Sequence, residues 1–199
     1  MWYFALLAFT STFDSHAQGV HPRLLWQSSD EPVIRKRAQS EPYASMAKLL
    51  VSPLDNQSDP YYNGTLLRTL PGAYLATGDK AHCDQALGVA LYTVYHSGMW
   101  ANTSARGLTR AFFSAGVALA LDGCYRAWPD QVRTNLSVQL LSNGYSLMYE
   151  FDGVNGFGNN HEAVRYASAG LCFAACDETE CERRGKNAYD YLTGHLRAN

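Results

Sequence analysis

Apolar residues recur every three to four positions through segment after segment of this chain, and no stretch alternates with period two for long enough to build a sheet. The segments 64–76, 79–97, 106–126, 129–149, 160–176 and 178–196 read as helices joined by short polar turns. In 106–126, Leu108, Phe112, Ala115, Leu119 and Gly123 keep helical spacing, and Val132, Leu136, Leu140 and Leu147 do so in 129–149. Two shorter helices are expected earlier. Ser28, Ser29, Asp30, Glu31 and Pro32 combine capping side chains, acids and a first-turn proline, and Ser40-Glu41-Pro42 leads into YASMAKLL. Residues 53–63, rich in Pro, Asp, Asn and Tyr, read as a loop.

The helices carry a weak echo. LATGDKAHCDQALGVALY and FAACDETECERRGKNAYDY each end an apolar helix at an Asp and place a Cys four residues later. Repeated punctuation of this kind suggests stacked helical hairpins. Small residues on apolar faces, such as Ala115-Gly116 and Ala167-Ser168-Ala169-Gly170, let neighbouring helices approach closely. The expected fold class is therefore all-α, a curved array or toroid of antiparallel hairpins whose groove is bordered by helix ends and loops.

Composition narrows the partners. A net charge of −2 over 199 residues gives no basic field for nucleic acid and no polybasic membrane patch. AFFSAGVALAL (111–121), the longest apolar candidate after the N-terminal segment, falls short of the roughly 20 residues a membrane span needs and reads as a core helix. Residues 1–17 read as an export signal: an apolar run from Trp2 to Phe9, then Ser15-His16-Ala17 as a small-x-small cleavage site, without the usual basic residues in front. That implies a secreted or periplasmic mature chain from Gln18. Five cysteines remain in it. Cys83 can pair with Cys124 if their helices are neighbours, and Cys176 with Cys181 across a polar turn; the other reading is five buried thiols. Sequons at Asn56, Asn63, Asn102 and Asn135 are glycan acceptors in a eukaryotic secretory host.

Familiar catalytic constellations are missing. The sequence has no Gly-x-Ser-x-Gly elbow, no phosphate-binding loop and no histidine pair at metal-ligand spacing, so neither a cofactor nor a metal is expected. What remains is NGFGNNHEAVRYASAG, residues 155–170. If Asn159 or Asn160 caps the helix, His161 falls in its first turn, where unpaired backbone N–H groups attract anions and further positive charge is disfavoured. An amide beside an uncharged imidazole suits proton abstraction alpha to a carboxylate, because donors aimed at the carboxylate stabilise the enolate. A plain helix cap is the competing reading. Near this group in sequence type are Arg106 and Arg110, four apart and suited to carboxylate or sulfate. Trp100 is a sugar-stacking platform or a core plug. Arg165, one turn after His161, contacts substrate or pairs with Glu162.

These segments also resemble a known group. HPRLLWQSSDEPVIRKRA is similar to the opening of heparinase II/III-type polysaccharide lyases and of dermatan sulfate epimerase, ARGLTRAFFSAGVALALDGCYRAWPDQVR to their middle hairpin, and GNNHEAVRYASAGLCFAAC to the Asn-His helix start shared with toroid-fold alginate lyases. The resemblance covers most of residues 21–196. It implies an (α/α) toroid, incomplete here, acting on an anionic polysaccharide. Asn160 would neutralise a uronate carboxylate and His161 would help abstract the C5 proton, with Asn159 holding the carboxylate or only capping. The later tyrosine and the β-sandwich of those enzymes have no matching segment before Asn199, so the first half of a toroid is expected. The implied reaction is β-elimination; uronyl C5-epimerisation and non-catalytic glycan binding are the alternatives.

Overall fold

The computed structural model describes residues 21–22, 24–51, 61–103, 107–150 and 160–176. The expected export signal, Asn56, Arg106, Asn159, Cys181 and the expected helix 178–196 lie outside them. Every described element is helical. In order they are α1 (Glu31–Arg37), α2 (Tyr43–Val51), α3 (Tyr62–Thr77), α4 (Ala81–Tyr95), α5 (Leu108–Gly123), a 3-10 turn (Tyr125–Ala127), α6 (Asp130–Tyr149) and α7 (Asn160–Ala175).

The boundaries follow local chemistry. Gly78 ends α3 in the left-handed conformation, φ 77°, and donates its N–H to Tyr74 O at 2.7 Å, a conformation that a Cβ would strain. Pro129, extended at φ −62° and ψ 145°, stands just before α6, where its missing N–H costs nothing. The serines expected to cap α1 do not. Asp30 occupies the cap position and turns back to accept from Gln27 N at 2.9 Å, while Ser28 Oγ donates to His21 O at 2.8 Å and accepts from Arg126 Nη2 at 2.9 Å. Ser28 is used in a tertiary contact, which competes with local capping.

Helix order and side-chain contacts define two layers. Gly64 of α3 lies against Phe112 of α5, Leu67 against Gly116, and Pro71 against Gly123, so α3 and α5 run parallel. Helix α6 runs antiparallel to α5, joined by Asn143 to Ser114 and by Arg110 to Glu150. It is also antiparallel to α7, with Tyr166 Oη donating to Met148 O at one end and Cys176 Sγ 3.4 Å from Ser137 O at the other. Helices α3, α5 and α7 thus share one direction. Helices α4 and α6 run the opposite way, each forming a hairpin with the helix before it.

α5 is the centre. A helix buried nearly all round must be apolar or small on every face. Here Ala111, Ser114, Ala115, Gly116, Ala118 and Ala120 turn toward neighbours and are 4% exposed or less where a value bears on packing. The residues whose spacing predicts this helix are not its most buried face: Leu108, Phe112, Leu119 and Gly123 are only partly buried, and Ala115 alone of that set is fully inside. Phe113, Val117 and Leu121 are fully buried among these small residues, and Phe112 lies at the less buried edge. There Arg68 lies over the Phe112 ring, 3.9 Å from its centroid, and donates to Phe112 O at 3.1 Å. Burial lowers the Arg68 pKa from the usual arginine value, yet from so high a start the group stays a cation near neutral pH.

The far end of α5 is clamped. Asp122, 2% exposed, accepts from Leu24 N at 2.9 Å and meets His21 Nδ1 at 2.6 Å. The His21 ring stacks on Tyr125 at 3.9 Å, and Arg133 sits 4.1 Å over that same tyrosine. Cys83 and Cys124 form a disulfide between the start of α4 and the end of α5, and Trp128 Nε1 donates to Cys83 O at 2.8 Å. The His-Pro segment is therefore a structural tie at this end. Cys172 in α7 and Cys176 just after it are buried.

Candidate functional site

The opposite end of the bundle gathers most of the residues that the sequence singles out. Here α5 and α7 begin, α6 ends, and the loop after α4 arrives. The antiparallel pairing of α6 with both neighbours brings these four chain segments together. Ala111 of α5, Leu147 and Met148 of α6, and Tyr166, Ala169 and Phe173 of α7 form the apolar cluster beneath them. Tyr61, at the start of the parallel helix α3, reaches the same end and lies 3.5 Å from Thr109 Oγ1.

α7 begins at Asn160, as the capping argument expects, and His161 is its second residue. The imidazole is partly buried, and its Nδ1 is buried without a hydrogen-bond partner among the described residues. Arg165 follows one turn later on the same helix face and is only 4% exposed. Trp100 is partly buried and packs against the main core, so its ring serves at least in part as a plug. Arg106 and Asn159 lie outside the described residues.

Arg110, grouped with Arg106 by spacing as an anion binder, has a different job. It is 5% exposed; Nη1 donates to Glu150 Oε2 at 2.5 Å and Nη2 to Ala101 O at 3.0 Å. Beside it, Asn143 Nδ2 donates to Ser114 Oγ at 2.8 Å and to Trp100 O at 3.2 Å. Two consecutive loop carbonyls are each held by a buried side chain from a different helix. Sequence reasoning missed Asn143, although a signal existed. Leu136, Leu140 and Leu147 define an apolar stripe, and the position that completes its spacing is Asn143. A polar residue at a core position needs a partner, and the loop carbonyl supplies one.

No cluster of three or more His, Cys, Asp or Glu side chains able to hold a metal occurs among the described residues. Among them, too, no helix is long and apolar enough to cross a membrane. An open depression on α1, lined by Pro32, Val33, Lys36, Arg37 and Ser40, shares no residue with the end that bears His161. No protein-family model, curated protein or solved structure matches the chain.

Chemically, this end offers the positive end of a helix, an imidazole in its first turn, and nearby loop carbonyls and an arginine–carboxylate pair. A helix start of this kind attracts carboxylate.

Proposed function

We propose that the chain is part of an (α/α)-toroid polysaccharide lyase that cleaves uronate-containing polysaccharides by β-elimination, in a secreted or periplasmic setting. The observation that carries the reading is the position of His161 in the first turn of α7, directly after Asn160, at the bundle end where α5 begins and α6 finishes. Helices α3, α5 and α7 running parallel, with α4 and α6 returning between them, are what stacked hairpins of a toroid require. The Cys83–Cys124 disulfide supports passage through an oxidising compartment.

In the proposed reaction the uronate carboxylate sits at the α7 start, held by the Asn160 amide and backbone N–H groups. His161 takes or helps to take the proton from C5. The C5–H electron pair becomes the C4=C5 double bond, the C4–O4 bond breaks, and a general acid protonates the departing O4. Donors that strengthen as charge builds on the enolate are worth about 3–4 kcal/mol each in systems of this type.

Incubation of the protein with alginate, heparan and chondroitin polymers, followed by absorbance of the unsaturated uronate, tests this reading. A rise that falls by at least about a hundredfold in both Asn160→Ala and His161→Ala supports it. Full activity in both variants refutes the site. Deuterium uptake at C5 without cleavage identifies an epimerase instead, and binding without either reaction identifies a glycan-binding domain.

A further inference from the structure

We propose that Arg110 is a positioning residue that locks the Trp100–Ala101 loop to the end of α6, and so fixes the rim around the start of α7. The inference rests on the lyase reading for its consequence in catalysis, but its geometric content stands independently.

Two ties of the guanidinium come from different parts of the chain. Its Nη2 holds Ala101 O in the loop after α4, and its Nη1 holds Glu150, the residue after the last turn of α6. Loop and helix end are far apart in sequence, and Arg110 bridges Ala101 to Glu150 from a third element, α5. Arg110 is buried while the Glu150 side chain is 44% exposed, which makes the arginine the fixed partner and the glutamate the movable one. A planar fork with two separate donor edges serves both ties at once; lysine, with a single compact head, serves one well. Asn143 differs in where it acts. It lies within α6, two turns before Glu150, and holds the neighbouring carbonyl, Trp100 O, as well as Ser114 of α5, so it ties the loop to the body of α6 while Arg110 ties it to the last turn. Next to Arg110, Ala111 packs in the cluster containing Tyr166 of α7, with Val164 against it, so the joint stands at the end of the bundle where α7 begins. Nothing about Arg110 requires contact with substrate. Its effect is on where Trp100 and the α6 end stand when a sugar arrives.

Three variants of the full chain separate the roles: Glu150→Ala, Arg110→Lys and Asn143→Ala. Amide hydrogen exchange is read by segment, with cleavage kinetics in parallel. Glu150→Ala removes a half-exposed side chain and leaves the core intact, so folding is preserved. In that variant, exchange in the distant 99–103 loop should rise about fivefold or more while α3 and α4 stay unchanged, because loosening one tie of Arg110 loosens the other. Arg110→Lys should do the same and lower kcat by about 10- to 100-fold with little change in KM, since misplacement of the rim affects the reacting geometry. Asn143→Ala should loosen the loop from within α6 while leaving the Arg110–Glu150 contact, and with it exchange at Glu150, unaltered. An unchanged 99–103 loop in Glu150→Ala overturns the coupling, whatever the activity. Coupled exchange with unaltered kcat in Arg110→Lys overturns the positioning role in catalysis. If the wild-type chain cleaves no uronate polymer, the lyase reading fails, and the exchange data alone decide the mechanical joint.

Discussion

At the level of single residues, the absence of a side chain does as much as its presence. Gly144 of α6 faces the Phe173 ring of α7, and a Cβ built there would meet ring atoms at 2.7 and 2.9 Å. Gly64 and Gly123 show the same crowding against Phe112 and Pro71. Gly144→Ala gains helix propensity on its own terms, about 1 kcal/mol, because alanine is the better helix former. The clash is with a ring that is fully buried and has nowhere to turn, and overpacking of this kind costs about 1–3 kcal/mol. The expected outcome is net destabilisation, read as a lower urea midpoint with unchanged slope; a midpoint at or above wild type would show that Phe173 moves aside. Such glycines were visible in the sequence only as small residues on apolar faces. Which ring each one receives depends on helix register, and register is set by partners that lie up to fifty residues away. Asn143 was more legible than it was credited for, since it interrupts a leucine stripe. Arg110 was legible as an arginine at a helix start and illegible in its use, because its partners, a loop carbonyl and Glu150, carry no sequence mark.

For whole elements, termini were easier to read than faces. The expected 64–76 and 129–149 became Tyr62–Thr77 and Asp130–Tyr149 because their stop and start signals, Gly78 and Pro129, act locally. The spacing in α5 locates the helix and does not single out a face, for a physical reason. A helix enclosed by several neighbours buries most of its circumference, Phe113, Val117 and Leu121 together with the small residues. The disulfide was legible only as a possibility, conditional on α4 and α5 being neighbours, and they are. It closes a sequence separation of 41 residues at the end of the central helix, beside the His21–Asp122 clamp. A chain-entropy treatment of a loop this long gives about 4 kcal/mol, with measured effects commonly between about 2 and 4. The Cys83→Ala, Cys124→Ala double variant should therefore unfold at clearly lower urea than the wild type. Adding reductant should lower the wild-type midpoint toward that of the variant and leave the variant itself unmoved. A variant as stable as wild type would mean that the clamp and Trp128 already hold the joint.

The molecule as a whole separates its duties by end. One end of α5 is fastened by a disulfide, a buried His–Asp contact and a stack of rings; the other brings together a loop, the starts of α5 and α7 and the end of α6. That polarity follows from topology. Parallel α3, α5 and α7 aim their N-terminal N–H groups the same way, so the positive helix ends collect on one side and the carbonyl ends on the other. A chain of net charge −2 has no general attraction for a polyanion, and any affinity must come from this local alignment. The consequence is selective. Recognition at a helix start depends on each carboxylate meeting aligned N–H groups at short range, whereas a diffuse basic surface responds to total charge. Reducing the carboxyl groups of a uronate polymer to alcohols should thus weaken binding and cleavage by at least about tenfold, the loss of one charge-assisted contact near 1.5–3 kcal/mol. Removing sulfate from a sulfated polymer should change them far less. Equal loss from both treatments, with affinity falling steeply as salt rises, would mean that total charge is being read and that the helix start is not where the polymer is held.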